Sequence, residues 1–330
     1  MKLDSFAHIL TPRYRERVFE VLRARGGQGE SDYAFMLGGD PTLQDLDARF
    51  ELMDTLGDDY RQVLVMAHTS TEGSEPDLAV DLTRTANEEL DELVAAHPDR
   101  FHGWAAQIAL QGGDEALRAT ERAIVERGAL GAQVFSDTQG KPLDHPDFEP
   151  FFHLMADLGA TIWIHPNRNI EYADFPRSES ESRYGLYSRT GWPTDTTNTL
   201  ARLVYAGYLE RWPDLRIIAH HSGGTLPMIN GRLKTLPYGP EREKVAARLK
   251  HEPMVYFKRF HADSANFGNP IALRAALEFF GEDHVLFGTD FGFRTTFAPD
   301  TIADVEAVVA DPETKSAVYE GNARRLFARG

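Results

Sequence analysis

The sequence predicts an α/β fold of the (β/α)₈ TIM-barrel class, and three observations predict it. Eight short apolar runs rich in Val, Ile, Phe and Trp alternate with longer charged, amphipathic stretches, the rhythm of βα units. The 330 residues lie within the range that one such barrel occupies with insertions, so residues 1–330 are expected as a single domain. An open doubly wound sheet is built from the same alternation. The first run, however, has no glycine-rich phosphate-binding turn behind it, which favours the closed barrel.

The strands are expected at Lys2 to Phe6, Gln62 to Ala67, Phe101 to Gln107, Gly131 to Phe135, Ala160 to His165, Leu215 to His221, Met254 to Phe260 and Val285 to Thr289. Helices are expected between them at Asp45 to Thr55, Thr83 to Ala96, Asp114 to Arg127, Phe148 to Leu158, Thr196 to Arg211 and Ile271 to Phe280. In Asp114 to Arg127 the residues Ala116, Leu117, Thr120, Ala123 and Ile124 recur at three- and four-residue spacing, the signature of a helix with one face against a sheet. The stretch from Asn167 to Trp192 is long, polar and rich in Ser, Arg and Tyr, and reads as an insertion after the fifth strand that covers the mouth of the barrel.

With 42% apolar and 26% charged residues the chain can bury a sizeable core. A net charge of −16 repels phosphate backbones and anionic lipid, so neither nucleic acid nor membrane is expected as a partner, although a local arginine cluster or a cation can still hold a small anion. The absence of cysteine removes disulfides and thiolate ligands, leaving His, Asp and Glu for any metal. The opening MKLDSFAHILTPRYRERV is too short in apolar residues for a signal peptide, and no apolar run of about 18 residues occurs, so a cytoplasmic location is expected.

Ionisable residues gather at the expected strand ends. His8 follows the first run, His165 closes the fifth in WIHP, His220 and His221 close the sixth in IIAHHSGG, and Asp290 follows the eighth in VLFGTDFGF. In a barrel these ends share one face, so side chains far apart in the chain converge. A single strand-end histidine is commonly structural. Two histidines with a carboxylate can instead hold a divalent cation and leave positions open to water or substrate.

The blocks MKLDSFAHIL, GKPLDHPDFEPFF with IWIHP, PDLRIIAHHSGGTLP, HVLFGTDFGF and the closing GNARRLF occur in the order seen in the amidohydrolase-related (amidohydrolase 2) family, and the chain resembles its aminocarboxymuconate semialdehyde and hydroxybenzoate-type decarboxylases over nearly its whole length. The resemblance implies that His8, His165 and Asp290 are metal ligands and that His221, with Asp290, is the acid or base. His221 is preferred to His220 because HSGGTLP fits the family block without a gap, and because neighbours on a strand face opposite sides. Phe6 stands where the family carries a first histidine or a glutamate, so one ligand is missing and a metal-free enzyme stays open beside a zinc or manganese one.

Arg168, just beyond the fifth strand, and Arg259 with His261, at the expected end of the seventh, are candidates for gripping a substrate carboxylate; the alternative for the arginines is a surface or interhelical salt bridge. Trp192, with Trp104, Tyr184 and Tyr187, can wall an aromatic substrate or pack in core and lid. Asp263 is read as orienting His261 or a lid. The expected activity is non-oxidative decarboxylation of an aromatic or unsaturated carboxylic acid. Hydrolysis of an amide or lactone, and a catalytically dead binding barrel, are the alternatives. The resemblance further implies a homodimer.

Overall fold

The computed structural model describes residues 1–25, 40–67 and 74–329. Eight parallel strands follow one another in chain order around a single sheet: β1 Lys2–Ile9, β2 Tyr60–Met66, β3 Phe101–Gln107, β4 Gly131–Phe135, β5 Thr161–His165, β6 Arg216–Ala219, β7 His261–Asp263 and β8 Val285–Leu286. The sheet closes on itself. Ser5 N–H donates to Phe287 O at 2.8 Å, Asp290 N–H to Phe6 O at 3.1 Å and His8 N–H to Phe291 O at 2.9 Å, joining β1 to the path leaving β8. This is the TIM barrel expected from the alternation.

Helices α1 Pro12–Arg25, α2 Leu46–Thr55, α3 Pro76–Ala96, α4 Gly113–Val125, α5 Glu149–Asp157, α6 Trp192–Tyr205, α7 Pro270–Phe280, α8 Phe297–Val308 and α9 Asn322–Phe327 account for most of the amphipathic stretches. Ala116, Thr120, Ala123 and Ile124 of α4 are buried, as their spacing requires. α2 begins where Asp45 accepts hydrogen bonds from the N–H groups of Asp47 and Ala48, and α3 begins with Pro76 in its first turn, seven residues before the expected start. The helix expected to run to Arg211 stops at Tyr205, because Gly207 takes a left-handed φ of 82° before a separate turn over Tyr208–Arg211.

Several strand boundaries move, and three of the moves matter for the site. β1 continues to Ile9, so His8 lies within the strand. β6 stops at Ala219, leaving His220 and His221 in the turn that follows. The run Met254 to Phe260 is mostly helical, over Pro253–Phe257, and β7 occupies His261–Asp263 instead. A short apolar run has no periodicity long enough to separate strand from helix, and Pro253 supplies a helix start.

The barrel interior holds its own apolar cluster, with Leu3 and Phe6 of β1, Val63 and Val65 of β2, Ala105, Trp163, Ile218 and Leu286, and it is completed from below by Ala323, Leu326 and Phe327 of α9. Trp163 donates its Nε1–H to Ser5 O at 2.9 Å and stacks on Phe327 with 5.4 Å between ring centres. Apolar residues on the outer faces of the strands, Trp104 among them, pack in the larger core beneath the helices. Gly288 lets β8 close against its neighbours: a Cβ there would lie 2.8 Å from Asp263 Cβ and 3.3 Å from Phe6 Cβ.

Candidate active site

The C-terminal rim of the barrel brings His8, His165, His220, His221 and Asp290 together, all buried. His8 Nε2 is 3.2 Å and His220 Nε2 3.4 Å from Asp290 Oδ1, while His221 Nε2 is 3.8 Å from Asp290 Oδ2. The ligating atoms of His8, His165 and His220 lie within 4.8 Å of one another, as do those of His220, His221 and Asp290. His220 belongs to both groups.

Three of the rings, those of His8, His165 and His220, are oriented from behind. His8 Nδ1 lies 3.2 Å from Met66 O and His165 Nδ1 2.7 Å from Pro166 O; a carbonyl can only accept, so Nδ1 carries the proton and Nε2 faces the cluster. His220 Nδ1 makes a short bond to Asp263 Oδ2. Asp263 is fixed in turn by Ala265 N–H at 3.1 Å and Ser222 N–H at 3.3 Å.

Both members of the His220–His221 pair reach the site, which corrects the expectation that one would turn away. Alternation holds only inside a strand. Beyond Ala219 the backbone enters left-handed conformations, φ 55° at both His221 and Ser222, and swings both rings to the same side with centres 3.7 Å apart. Asp290 is left-handed too, at φ 58°. Backbone of this kind, unfavourable for residues with a Cβ, is held where a site requires it.

Burial alone would raise the Asp290 carboxyl, but the facing imidazoles of His220, His221 and His8 outweigh it and hold the group well below the usual range, ionised at neutral pH. Burial alone would lower His220, and the carboxylates of Asp263 and Asp290 push it up to about 9. His221 is lowered by burial and by the neighbouring His220.

The donor set fits a divalent cation. His8 Nε2, His220 Nε2 and Asp290 Oδ1 are buried without a hydrogen-bond partner among the described residues. Such atoms are costly to bury unless something else satisfies them. Imidazoles whose Nδ1–H groups are held by a carbonyl or a carboxylate are the arrangement that supports metal ligation.

Phe6 is fully buried and stacks face to face on His220, with ring centres 3.8 Å apart and planes 11° apart. Trp192 forms the other wall, 5.4 Å edge-on to His165 and stacked at 6.3 Å on His221. Its Nε1–H donates to Arg168 O at 2.7 Å, which ties the insertion to the rim. Arg168 Nε is buried without a hydrogen-bond partner among the described residues.

Arg259 and His261 are not at this rim. With β7 starting at His261, both fall at the opposite, N-terminal end of the barrel, where Arg259 donates to Leu209 O at 2.7 Å and His261 stacks on His284 at 4.5 Å. Burial and His284 lower His261 to about 3, as suits a neutral packing group. Asp263 sits at the other end of the same strand and holds His220, not His261. Tyr184 is 84% exposed.

The profile of the family described as "Amidohydrolase" matches residues 4–329. The chain is 31% identical over 265 residues to 6-methylsalicylic acid decarboxylase of Penicillium expansum, covering 78% of each chain. It is 28% identical over 220 residues to 2-amino-3-carboxymuconate-6-semialdehyde decarboxylase of Dictyostelium discoideum, covering 67% of this chain and 59% of that one. Among solved structures, a 5-carboxyvanillate decarboxylase of Novosphingobium aromaticivorans with bound manganese superposes with a TM-score of 0.83 at 21% identity, covering 99% of this chain and 97% of that one.

Proposed function

The chain belongs to the amidohydrolase family, and from that premise we propose that it is a non-oxidative carboxy-lyase acting on an aromatic or unsaturated carboxylic acid, assisted by a divalent cation. The observation that carries the reading is the convergence of buried, partnerless donors on one point of the rim, in a chain whose relatives decarboxylate 6-methylsalicylic and aminocarboxymuconate-type acids.

In this reading His8, His165 and Asp290 hold zinc or manganese, and the ion supplies a positive centre for the substrate's carboxylate or neighbouring hydroxyl. Asp290, held ionised, does not store the proton. His221 lies toward Trp192 and moves the proton. The bond from ring or alkene carbon to carboxylate breaks, its electron pair stays on carbon, and a proton arrives there as carbon dioxide leaves. Trp192 walls the ring, and Arg168, whose carbonyl accepts from the Trp192 indole N–H, stands at the base of the insertion beside that wall as the grip for the carboxylate. We likewise read residues 1–330 as one domain and the enzyme as a cytoplasmic homodimer, the latter tested by light scattering on the eluted protein.

Incubation with a panel of hydroxybenzoates, 6-methylsalicylate and muconate-like acids is expected to release CO₂ from at least one, with one deuterium at the vacated carbon when the solvent is D₂O. Turnover that instead incorporates ¹⁸O from labelled water, without CO₂, would replace this reading by hydrolysis.

A further inference from the structure

Phe6 removes a donor from β1, while the turn after β6 carries one histidine more than the proton-transfer role needs. We propose that His220 coordinates the cation through Nε2 as a further protein ligand, taking the place of the donor absent at Phe6; this rests on the reading that His8, His165 and Asp290 hold a divalent ion.

Separation and orientation carry the inference. Ligand atoms about 2.1 Å from one tetrahedral ion are about 3.4 Å from each other. His220 Nε2 is 3.4 Å and His8 Nε2 3.2 Å from the same oxygen, Asp290 Oδ1, and these three atoms are buried and partnerless among the described residues. The separations suit donors that share an ion.

His220 also has the support that a ligand requires. Its Nδ1 is held by Asp263, both side chains are fully buried, and Asp263 is anchored by two backbone N–H groups, so tautomer and ring plane are set before any ion arrives. Phe6 supplies the remaining restraint. Its ring covers one face of the imidazole and blocks rotation, so the residue that replaces one donor also positions another.

His221 differs on each count. It addresses the other carboxylate oxygen, at 3.8 Å, its Nδ1 has no partner among the described residues, and its ring lies against Trp192 and Phe267. The two adjacent histidines therefore divide the work, one on the ion and one facing the substrate.

X-ray absorption on the zinc-loaded wild-type protein counts imidazoles without any substitution, and three are expected. Zinc affinity by chelator competition is expected to fall by about 100-fold or more in His220→Ala and by about 10–100-fold in Asp263→Asn. It should stay within about threefold in His221→Ala, and Phe6→His in the His220→Ala background should recover part of the loss. Two imidazoles in the wild type, or unchanged affinity in His220→Ala while His8→Ala and Asp290→Asn lose zinc, overturns the role of His220 and leaves the metal reading standing. A wild-type protein that takes up no zinc or manganese overturns both.

Discussion

At the scale of single residues, buried charge sets the chemistry. Asp290 stays ionised because imidazoles face it on both oxygens, and His221 is left to handle protons. His221→Asn is therefore expected to retain bound metal while kcat falls by on the order of 10² to 10⁴, checked by metal analysis and steady-state rates on one preparation. Asp4 is the contrasting case. It accepts from Thr289 Oγ1–H at 2.6 Å, from Tyr60 O–H and from two backbone N–H groups, yet burial outweighs these bonds and raises its carboxyl to about 6. A group raised on folding binds its proton more tightly in the native state, so its contribution is most favourable below pH 4, declines as pH rises to about 6, and is level above that. The stability of wild type minus that of Asp4→Asn should follow this course and drop by on the order of 3 kcal/mol. Denaturant melts of both proteins between pH 4 and 7.5 measure it, and a difference independent of pH would show that Asp4 is ionised throughout.

At the scale of elements, the turn after β6 decides which side chains meet. Gly223 and Gly224 follow the two left-handed residues at φ 76° and 67°, and a Cβ at Gly224 would lie 2.3 Å from Pro193 O, so the turn is locked beneath the start of α6. Gly224→Ala is expected to lower stability by about 2 kcal/mol or more and to shift His220 and His221 together. The expected readout is a lowered melting temperature with loss of both zinc and turnover; retention of full activity would show that the turn has room to move. This element also marks how far the sequence could be read. His8, His165 and Asp290 were recoverable because each lies at or near the C-terminal end of a barrel strand, and a closed ring brings such positions together whatever the loops do. That both His220 and His221 reach the site was not, because strand alternation does not extend past the end of β6, and left-handed backbone at His221 and Ser222 has no signature in residues other than glycine. Arg259 and His261 reach the rim only in a frame that takes the apolar MVYF for β7; Pro253 makes that run a helix, and the strand starts at His261. Asp263 thereby becomes the last residue of β7, at the rim, where it meets His220.

At the scale of the whole molecule, the barrel is built from two opposed ends. The upper rim carries the titratable cluster on strained backbone, and the lower end is filled by apolar side chains from α9, Phe327 the one ring among them. Removing Phe327 takes away the ring stacked on Trp163, two residues before His165 on β5. Phe327→Ala is expected to destabilise the protein by about 3–5 kcal/mol, with zinc stoichiometry of the folded fraction unchanged, because the lost contacts lie at the end away from the ligands. Denaturant titration with metal analysis of the native peak checks both parts, and loss of zinc without loss of stability would contradict this division. The filled base has a consequence for traffic. Among the described residues the base is stoppered by Leu326 and Phe327, which leaves the upper side, where Trp192 stands, as the way to the cluster. In the proposed reaction acid, decarboxylated product and gas share that side, so whatever lingers beside Trp192 delays the next molecule.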